Sequence, residues 1–160
     1  MAEARIFEDL KADHARHRTL LEKLARTPGG SDARRETFED LRKELQAHAA
    51  AEEESLYATM LANPDLRDEA RHSVAEHKEI DDYLGELMDI PLDSAEWTSK
   101  FKEMRHRYLH HIDEEEEEMF PAAAKALDTE TEEEIADTFA DRKPKELEIA
   151  AEEKPGDERE

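Results

Sequence analysis

One spacing between histidines occurs twice in this sequence. The interval from His14 to His48 is the same as the interval from His77 to His111, so one constant offset along the chain relates the two pairs. An acidic residue precedes the first histidine of each pair, and leucines follow it at matching distances. A repeat of this kind predicts two copies of one structural unit. We therefore interpret the chain as two copies of a helical hairpin.

The second histidine of each pair begins the same short motif. The motif is His-x-x-x-Glu, and its glutamates are Glu52 and Glu115. Residues four apart lie on one face of a helix, so each carboxylate is predicted to lie beside its histidine. Both glutamates fall where the helical periodicity requires an apolar residue. A buried carboxylate is costly unless it is paired or bound to a metal, so the motifs indicate a buried site.

The composition limits the classes of protein to which the chain can belong. Its 160 residues suit one domain, 42% of them are charged, and the formal net charge is −22. This negative charge argues against nucleic acid and against an anionic membrane as partners. Cysteine is absent, which excludes thiolate metal ligands, disulfides and a thiol nucleophile. Because no apolar leader or membrane-spanning stretch is visible, we expect a cytoplasmic protein.

Helical periodicity predicts an all-α protein. Apolar residues recur every three to four positions in four segments, which are separated by turn residues near positions 28–31, 63–65 and 91–94. We predict an up-down-up-down four-helix bundle over residues 1–127, built from two helical hairpins, with the last helix continuing past Pro121. At about 1.5 Å per residue, the four histidines reach one level of this bundle.

The C-terminal part of the sequence is predicted to lie outside the four-helix bundle. Residues 128–160 are predicted to form a short helix, around residues 131–140, and then a disordered acidic tail. Dense charge and two prolines from Lys143 onward favour the tail.

The repeated residues together predict a dinuclear metal site. Its candidate ligands are four imidazoles and two carboxylates: His14, His48, Glu52, His77, His111 and Glu115. Each carboxylate can bridge two cations. Nitrogen and oxygen ligands suit iron, manganese or zinc, and the absence of sulfur argues against copper(I). The alternative is that each histidine is an ordinary paired residue, since His-x-x-x-Glu arises by chance in Glu-rich helices. The repeated spacing favours the metal site.

The remaining histidines call for separate interpretations. His17 lies on the inward stripe one turn from His14, and it is either an extra ligand or a buried partner of a carboxylate. Tyr108, one turn before His111, can line the same cavity or serve as an ordinary core residue. The other three histidines fall off the inward faces and are predicted to lie on the surface: His72, His106 and His110.

A rival di-metal pattern is also present. Ferritin-like bundles use Glu-x-x-His, and two pairs in this sequence match it: Glu69 with His72, and Glu103 with His106. Both pairs lie on charged helix faces, away from the apolar stripes. Their orientation therefore argues against this pattern.

The motifs resemble those of the hemerythrin-like family, the HHE cation-binding domains. The resemblance spans about residues 5–127, and four motifs carry it: Leu10-Lys-Ala-Asp-His14, His48-x-x-x-Glu52-Glu53, Glu76-His77 and His111-x-x-x-Glu115-Glu116. It implies a non-haem centre of two iron ions bridged by Glu52 and Glu115. The histidines at positions 14, 48, 77 and 111 would then be the terminal ligands.

In one respect the sequence departs from the family pattern. The oxygen-carrying hemerythrins have a fifth histidine one turn before the one matched by His77, and here Ser73 occupies that position. Fewer protein ligands would leave one iron open to water, peroxide or O₂. This argues against simple reversible oxygen carriage, unless His17 supplies the missing nitrogen.

These observations predict a hemerythrin-like di-iron protein that binds iron and O₂ or a related small ligand, for sensing, storage or iron handling. No general acid, nucleophile or second substrate pocket is visible in the sequence, which favours binding over catalysis. One alternative is a di-iron oxidoreductase acting on peroxide, O₂ or nitric oxide. Another is a metal-free acidic helical interaction module.

Overall fold

The computed structural model describes residues 3–152, and in this range the chain forms five helices and no strand. Their bounds are Arg5–Ala25 (α1); Asp32–Glu52, Glu53–Tyr57 and Ala58–Ala62 (α2); Arg67–Asp89 (α3); Ala95–Glu114, Glu115–Met119 and Phe120–Ala126 (α4); and Thr129–Glu152 (α5). The middle segments of α2 and α4 are π-helical. None of these helices is long and apolar enough to cross a membrane. The all-α class is as predicted, with five substantial helices.

Capping and turn residues mark the helix boundaries close to the breaks predicted from the sequence. The Oγ atoms of Ser31 and Ser94 each accept a hydrogen bond from the backbone N–H three residues later, at 3.1 Å. Gly30 precedes the first of these caps with a φ of 72°, a left-handed conformation that favours glycine. Helix α4 continues through Pro121 and ends at Ala126, as expected for its Ala-rich sequence.

Two apolar clusters fill the interior of the fold. The first includes Phe7, Leu10, Leu56, Tyr57, Met60 and Phe120. The second includes Leu24, Phe38, Leu41, Leu84, Trp97 and Phe101. Along each of α1 to α4, buried polar residues fall between the two clusters. The polar layer is therefore enclosed by apolar side chains, which exclude water and strengthen its electrostatic interactions.

The C-terminal helix corrects one expectation from the sequence. Helix α5 runs unbroken through Pro144 to Glu152, so residues 143–152 are helical rather than frayed. Residues 153–160 of the predicted tail lie outside the described range. The expected short helix is thus 24 residues long.

Tertiary contacts explain the length of α5. The helix packs mainly against α2 and also against α1, and it buries Phe139 and Ala150. The Arg42 guanidinium donates a hydrogen bond to the Ala150 carbonyl at 2.9 Å. A proline inside a helix costs about 3 kcal/mol, because it removes a hydrogen bond and crowds the preceding turn. Contacts before and after Pro144 offset this cost, and single-sequence propensity does not include them.

We expect Phe139→Ala to lower the free energy of unfolding by roughly 3 kcal/mol, since a buried phenyl ring would leave a cavity. Urea denaturation of the full chain measures this, with Glu134→Ala as the control on the exposed face of α5. Equal stability of the two variants would contradict the packing of α5 into the core.

Candidate metal centre

The six predicted site residues lie together in the polar layer between the two apolar clusters. Helix α1 contributes His14, α2 contributes His48 and Glu52, α3 contributes His77, and α4 contributes His111 and Glu115. Each of these six residues is at most 7% exposed. The i, i+4 spacing in α2 and α4 turns the histidine and the glutamate of each motif to one face.

Their donor atoms form two groups that share both carboxylates. The first group is His14, His48, Glu52 and Glu115, and the second is Glu52, His77, His111 and Glu115. Within each group the donor atoms lie within 4.8 Å of one another. Two neighbouring cation positions with two carboxylates in common follow from this arrangement.

The Nε2 atoms of the four histidines face the shared carboxylates. The Nε2–oxygen distances are 3.4 Å from His48 and 3.3 Å from His77 to Glu52 Oε1, 3.2 Å from His14 to Glu115 Oε1, and 3.4 Å from His111 to Glu115 Oε2. Each carboxylate thus approaches one histidine of each group. Cations held by the two groups could therefore both contact each carboxylate.

The Nδ1 atoms of the same histidines face an outer ring of four carboxylates. The contacts are His14 with Glu116 at 2.6 Å, His48 with Asp13 at 2.8 Å, His77 with Glu53 at 2.9 Å, and His111 with Glu76 at 2.9 Å. An ionised carboxylate can only accept, so Nδ1 donates and Nε2 is left facing inward. Such outer carboxylates orient histidines that bind metals and make them more basic.

None of these four carboxylates was assigned a role from the sequence, although the repeat contained the signal. Glu76 is the counterpart of Asp13 in the second copy, and Glu116 is the counterpart of Glu53. The acid before the first histidine of each hairpin bonds the second histidine of its own hairpin. The acid after each shared glutamate bonds the first histidine of the other hairpin.

Burial and neighbouring charges shift the pKa values of the two shared carboxylates in opposite directions. Burial acts to raise the pKa of Glu52, but His48 and His77 outweigh it and hold that pKa well below its usual value. For Glu115, burial and the negative charge of Glu52 raise the pKa. Two like charges in one dry layer therefore resist simultaneous ionisation, which a bound cation would relieve.

Three imidazoles of the layer, those of His14, His48 and His77, hold protons more tightly than usual. Burial disfavours the charged ring, but Glu115 and Glu116 outweigh it and raise the pKa of His14 to about 9. Glu52 and Glu53 likewise outweigh burial and raise the pKa of His77 to about 10. The negative charge of the layer is thus partly balanced by protonated histidines when no metal is bound.

Several atoms of the layer have no hydrogen-bond partner among the described residues. They are the Nε2 atoms of His14, His17 and His48, both carboxylate oxygens of Glu52, and Oε1 of Glu115. Their contacts are close, but they lack the geometry of hydrogen bonds. Buried polar atoms are seldom left unsatisfied, and two divalent cations bound by the two groups would satisfy all of these atoms except Nε2 of His17. These residues therefore fit a metal centre.

Tyr57 is a component of the site, although its place in the sequence predicts only a core residue. It is fully buried, its hydroxyl donates a hydrogen bond to Glu115 Oε2, and its ring stacks on His77 with centroids 5.2 Å apart. Burial and the charge of Glu115 raise its pKa well above the usual value, so the hydroxyl keeps its proton. Its counterpart in the second copy is Phe120, which stacks on His14 but has no hydroxyl. Because the two copies differ here, the repeat gave no signal for Tyr57.

His17 is buried beside the site but belongs to neither group. Its Nδ1 lies 2.7 Å from the Tyr108 hydroxyl and its Nε2 lies 3.6 Å from Glu44 Oε2. Burial lowers its pKa to about 4, so the ring is neutral. Its ring centroid is 4.9 Å from that of His48. His17 also forms a separate group of possible cation ligands with Asp13 and His48, so this geometry is compatible with both roles that the sequence leaves open to it.

The other three histidines are exposed, as predicted: His72, His106 and His110. Glu69 and Glu103 are exposed as well, so the ferritin-like pairs lie on the surface. His72, however, forms a further group of possible cation ligands with Glu76 and Glu114.

We expect metal loading to release protons, because a metal ion binds the neutral imidazole. At pH 7, the raised pKa values of His14 and His77 keep both rings protonated in the metal-free protein. Since the pKa of His48 is raised as well, loading with Zn²⁺ should expel at least about two protons per protein, measured with a pH indicator in weak buffer. The release should shrink as the pH rises through the pKa values of His14, about 9, and His77, about 10. Full zinc uptake at pH 7 without proton release would contradict this electrostatic description.

Comparisons with known proteins agree with this geometry. Residues 5–123 match the family model described as the hemerythrin HHE cation binding domain. The fold is similar to the crystal structure of a hemerythrin HHE cation binding domain-containing protein from Mycobacterium kansasii. The two chains are 27% identical with a TM-score of 0.79, over 95% of this chain and 91% of that chain. Among curated proteins, no match was found. Because the family model covers most of the sequence, this chain belongs to the hemerythrin HHE cation-binding family.

Proposed function

We propose that this protein is a non-haem di-iron protein that binds O₂ or a related small ligand, in sensing, storage or iron handling. Glu52 and Glu115 would bridge the two ions. His14 and His48 would complete one position, and His77 and His111 the other. The observation that carries the proposal is the sharing of both carboxylates by the two groups of donor atoms.

The donor set supports iron. Each position offers two imidazole nitrogens and carboxylate oxygens, a combination that suits iron, manganese and zinc. Iron is proposed because the resemblance to hemerythrins implies it. When bound, it would supply open coordination positions and a change of oxidation state. The protein would supply the dry layer, the bridging oxygens and the oriented rings.

A surface pocket of about 240 Å³ supports access of a small ligand to the second position. Its lining includes Ser73, His111 and Glu115. Ser73 is buried, and it stands where the oxygen-carrying hemerythrins have a further histidine. Its side chain is shorter than an imidazole and leaves room beside the His77 and His111 position. We propose that the small ligand reaches the centre on this side.

A second candidate function is a di-iron oxidoreductase acting on peroxide, O₂ or nitric oxide. Tyr57 favours it, because a protonated hydroxyl lies against Glu115 inside the layer. A buried O–H at this position could donate a hydrogen bond that stabilises negative charge on a reduced ligand, which simple binding does not require.

The test of the first candidate uses two adjacent histidines. Metal-free protein is loaded anaerobically with ferrous iron, iron is counted, and the visible spectrum is recorded before and after air. We expect His111→Gln to lose about half of the iron, since it removes one ligand of the second position. His110→Gln is the control, because His110 is exposed and belongs to neither group. Two ions in both variants, or an equal loss in both, would contradict the assignment of His111.

The visible spectrum of the iron-loaded protein distinguishes the two candidate functions. A long-lived band that fades when oxygen is removed supports binding. A brief band, or direct conversion to a stable ferric spectrum, supports consumption of the oxidant and the second candidate. A wild-type protein that takes up no iron, manganese or zinc would overturn both and favour a metal-free interaction module.

For the second candidate, we expect Tyr57→Phe to slow peroxide consumption about a hundredfold while the iron content stays unchanged. The substitution removes the hydroxyl and keeps the ring that stacks on His77. The measurement is the loss of peroxide with time, in samples of equal iron content. Tyr83→Phe is the control, because Tyr83 lies outside both groups of donor atoms. Unchanged turnover in Tyr57→Phe would remove the observation that favours this function.

A further inference from the structure

We infer that His72, Glu76 and Glu114 form a third cation site on the surface, which takes a divalent transition-metal ion on its way into the dinuclear centre. The inference rests on the proposed function and adds a route by which the centre is loaded. It assigns a role to an exposed histidine that the dinuclear centre does not use.

The geometry of this surface site brings one imidazole between two carboxylates. His72 Nε2 lies 3.4 Å from Glu76 Oε1 and 3.5 Å from Glu114 Oε1. The donor atoms of the three residues lie within 4.8 Å of one another. The His72 side chain is 59% exposed, Glu114 33% and Glu76 19%, so exposure falls toward the interior. One nitrogen and several oxygens suit ferrous iron, manganese and zinc.

The surface site is connected to the centre by two observations. Glu76 Oε1, which faces His72, also accepts the hydrogen bond from His111 Nδ1 at 2.9 Å. The same pocket that contains the surface site is lined on its inner side by Glu115. Glu115 is only 2% exposed, and its carboxylate belongs to both groups of donor atoms in the centre. A cation held by His72, Glu76 and Glu114 would therefore share one pocket with a carboxylate of the dinuclear centre.

The charge of the pocket favours a cation. Its other lining residues include Asp68, Glu69 and Glu118, and none of the described lining residues is lysine or arginine. A cleft lined by one sign of charge raises the local concentration of the opposite ion and speeds its association.

The first hairpin has no such surface site at the equivalent positions. The counterparts of His72, Glu76 and Glu114 in the first copy are Asp9, Asp13 and Ala51, so the imidazole is missing and alanine replaces Glu114. Asp13, the counterpart of Glu76, is already paired with Lys143 of α5, whose Nζ lies 2.8 Å from Asp13 Oδ2. Helix α5 thus holds a positive charge where a cation would have to enter. The site formed by His72, Glu76 and Glu114 therefore has no counterpart at the equivalent positions of the first hairpin.

The test compares two double variants that change the same residue types. His72→Gln with Glu114→Gln removes the surface ligands and leaves Glu76 bonded to His111. The control, His106→Gln with Glu103→Gln, removes an exposed histidine and an exposed glutamate from α4 and changes the net charge equally. Ferrous iron is the probe, under anaerobic conditions. Equilibrium dialysis counts the bound ions, and stopped-flow mixing at stoichiometric iron follows loading.

We expect the wild-type protein and the control to bind two ions tightly and a third weakly. The His72 and Glu114 variant should keep the two tight ions, lose the third, and load about tenfold more slowly. Retention of the tight ions also shows that the variant is folded.

Unchanged loading and an unchanged count in the His72 and Glu114 variant would overturn the inference and leave the proposed function intact. An equal slowing in the control would overturn it as well, because general surface charge would then explain the effect. A wild-type protein that binds fewer than two ions would overturn the proposed function, and this inference with it.

Discussion

The carboxylates of Glu52 and Glu115, held in an interior that water does not reach, are the constraint on which the rest of the structure depends. Both carboxylates lie between two apolar clusters, where an ionised group without compensation is strongly unfavourable. Four imidazoles surround them, and the pKa shifts of His14 and His77 show protons serving as the counterions when no metal is bound. The same positions suit divalent cations, so metal binding and proton release are two outcomes of one electrostatic requirement.

The internal repeat explains why the centre is nearly symmetric, and the differences between the two copies explain its asymmetry. The shared glutamates, the inner histidines and the outer carboxylates all obey one offset, which gives the two cation positions matching surroundings. The copies differ at three places that bear on function. Tyr57 in the first copy corresponds to Phe120 in the second, so only the first copy has a hydroxyl at this position. Asp13 in the first copy pairs with Lys143 of α5, whereas its counterpart Glu76 lies beside His72. The hydroxyl of Tyr57 and the pocket that leads to the centre therefore both lie on the side of His77 and His111, although the ligand set is nearly symmetric.

Much of the fold and of the candidate site could be predicted, because local periodicity controls both. A His-x-x-x-Glu motif in a helix fixes which side chains share a face, and Ser31 and Ser94 cap helices near the predicted starts. The π-helical segments were not predicted, although each coincides with an adjacent buried pair after the shared glutamate: Leu56 with Tyr57, and Met119 with Phe120. A pure α-helix does not turn residues four and five positions after one inward residue equally inward. The wider turn of a π-helix brings both residues to the inward face. π-Helical segments are frequent at functional sites.

The sequence by itself determined the class of fold, the repeated hairpin and the residue types that a metal centre needs, because these depend on spacing along single helices. The repeat also predicted that the six side chains share one site, but only the tertiary structure decided their distances and the four further carboxylates that orient the histidines from outside. It also decided that α5 extends through Pro144. There the contact of Phe139 with the core and the bond from Arg42 to the Ala150 carbonyl outweigh a local preference against helix. These features depend on contacts between residues about 24 to 130 positions apart in the chain, and no local pattern encodes such a contact.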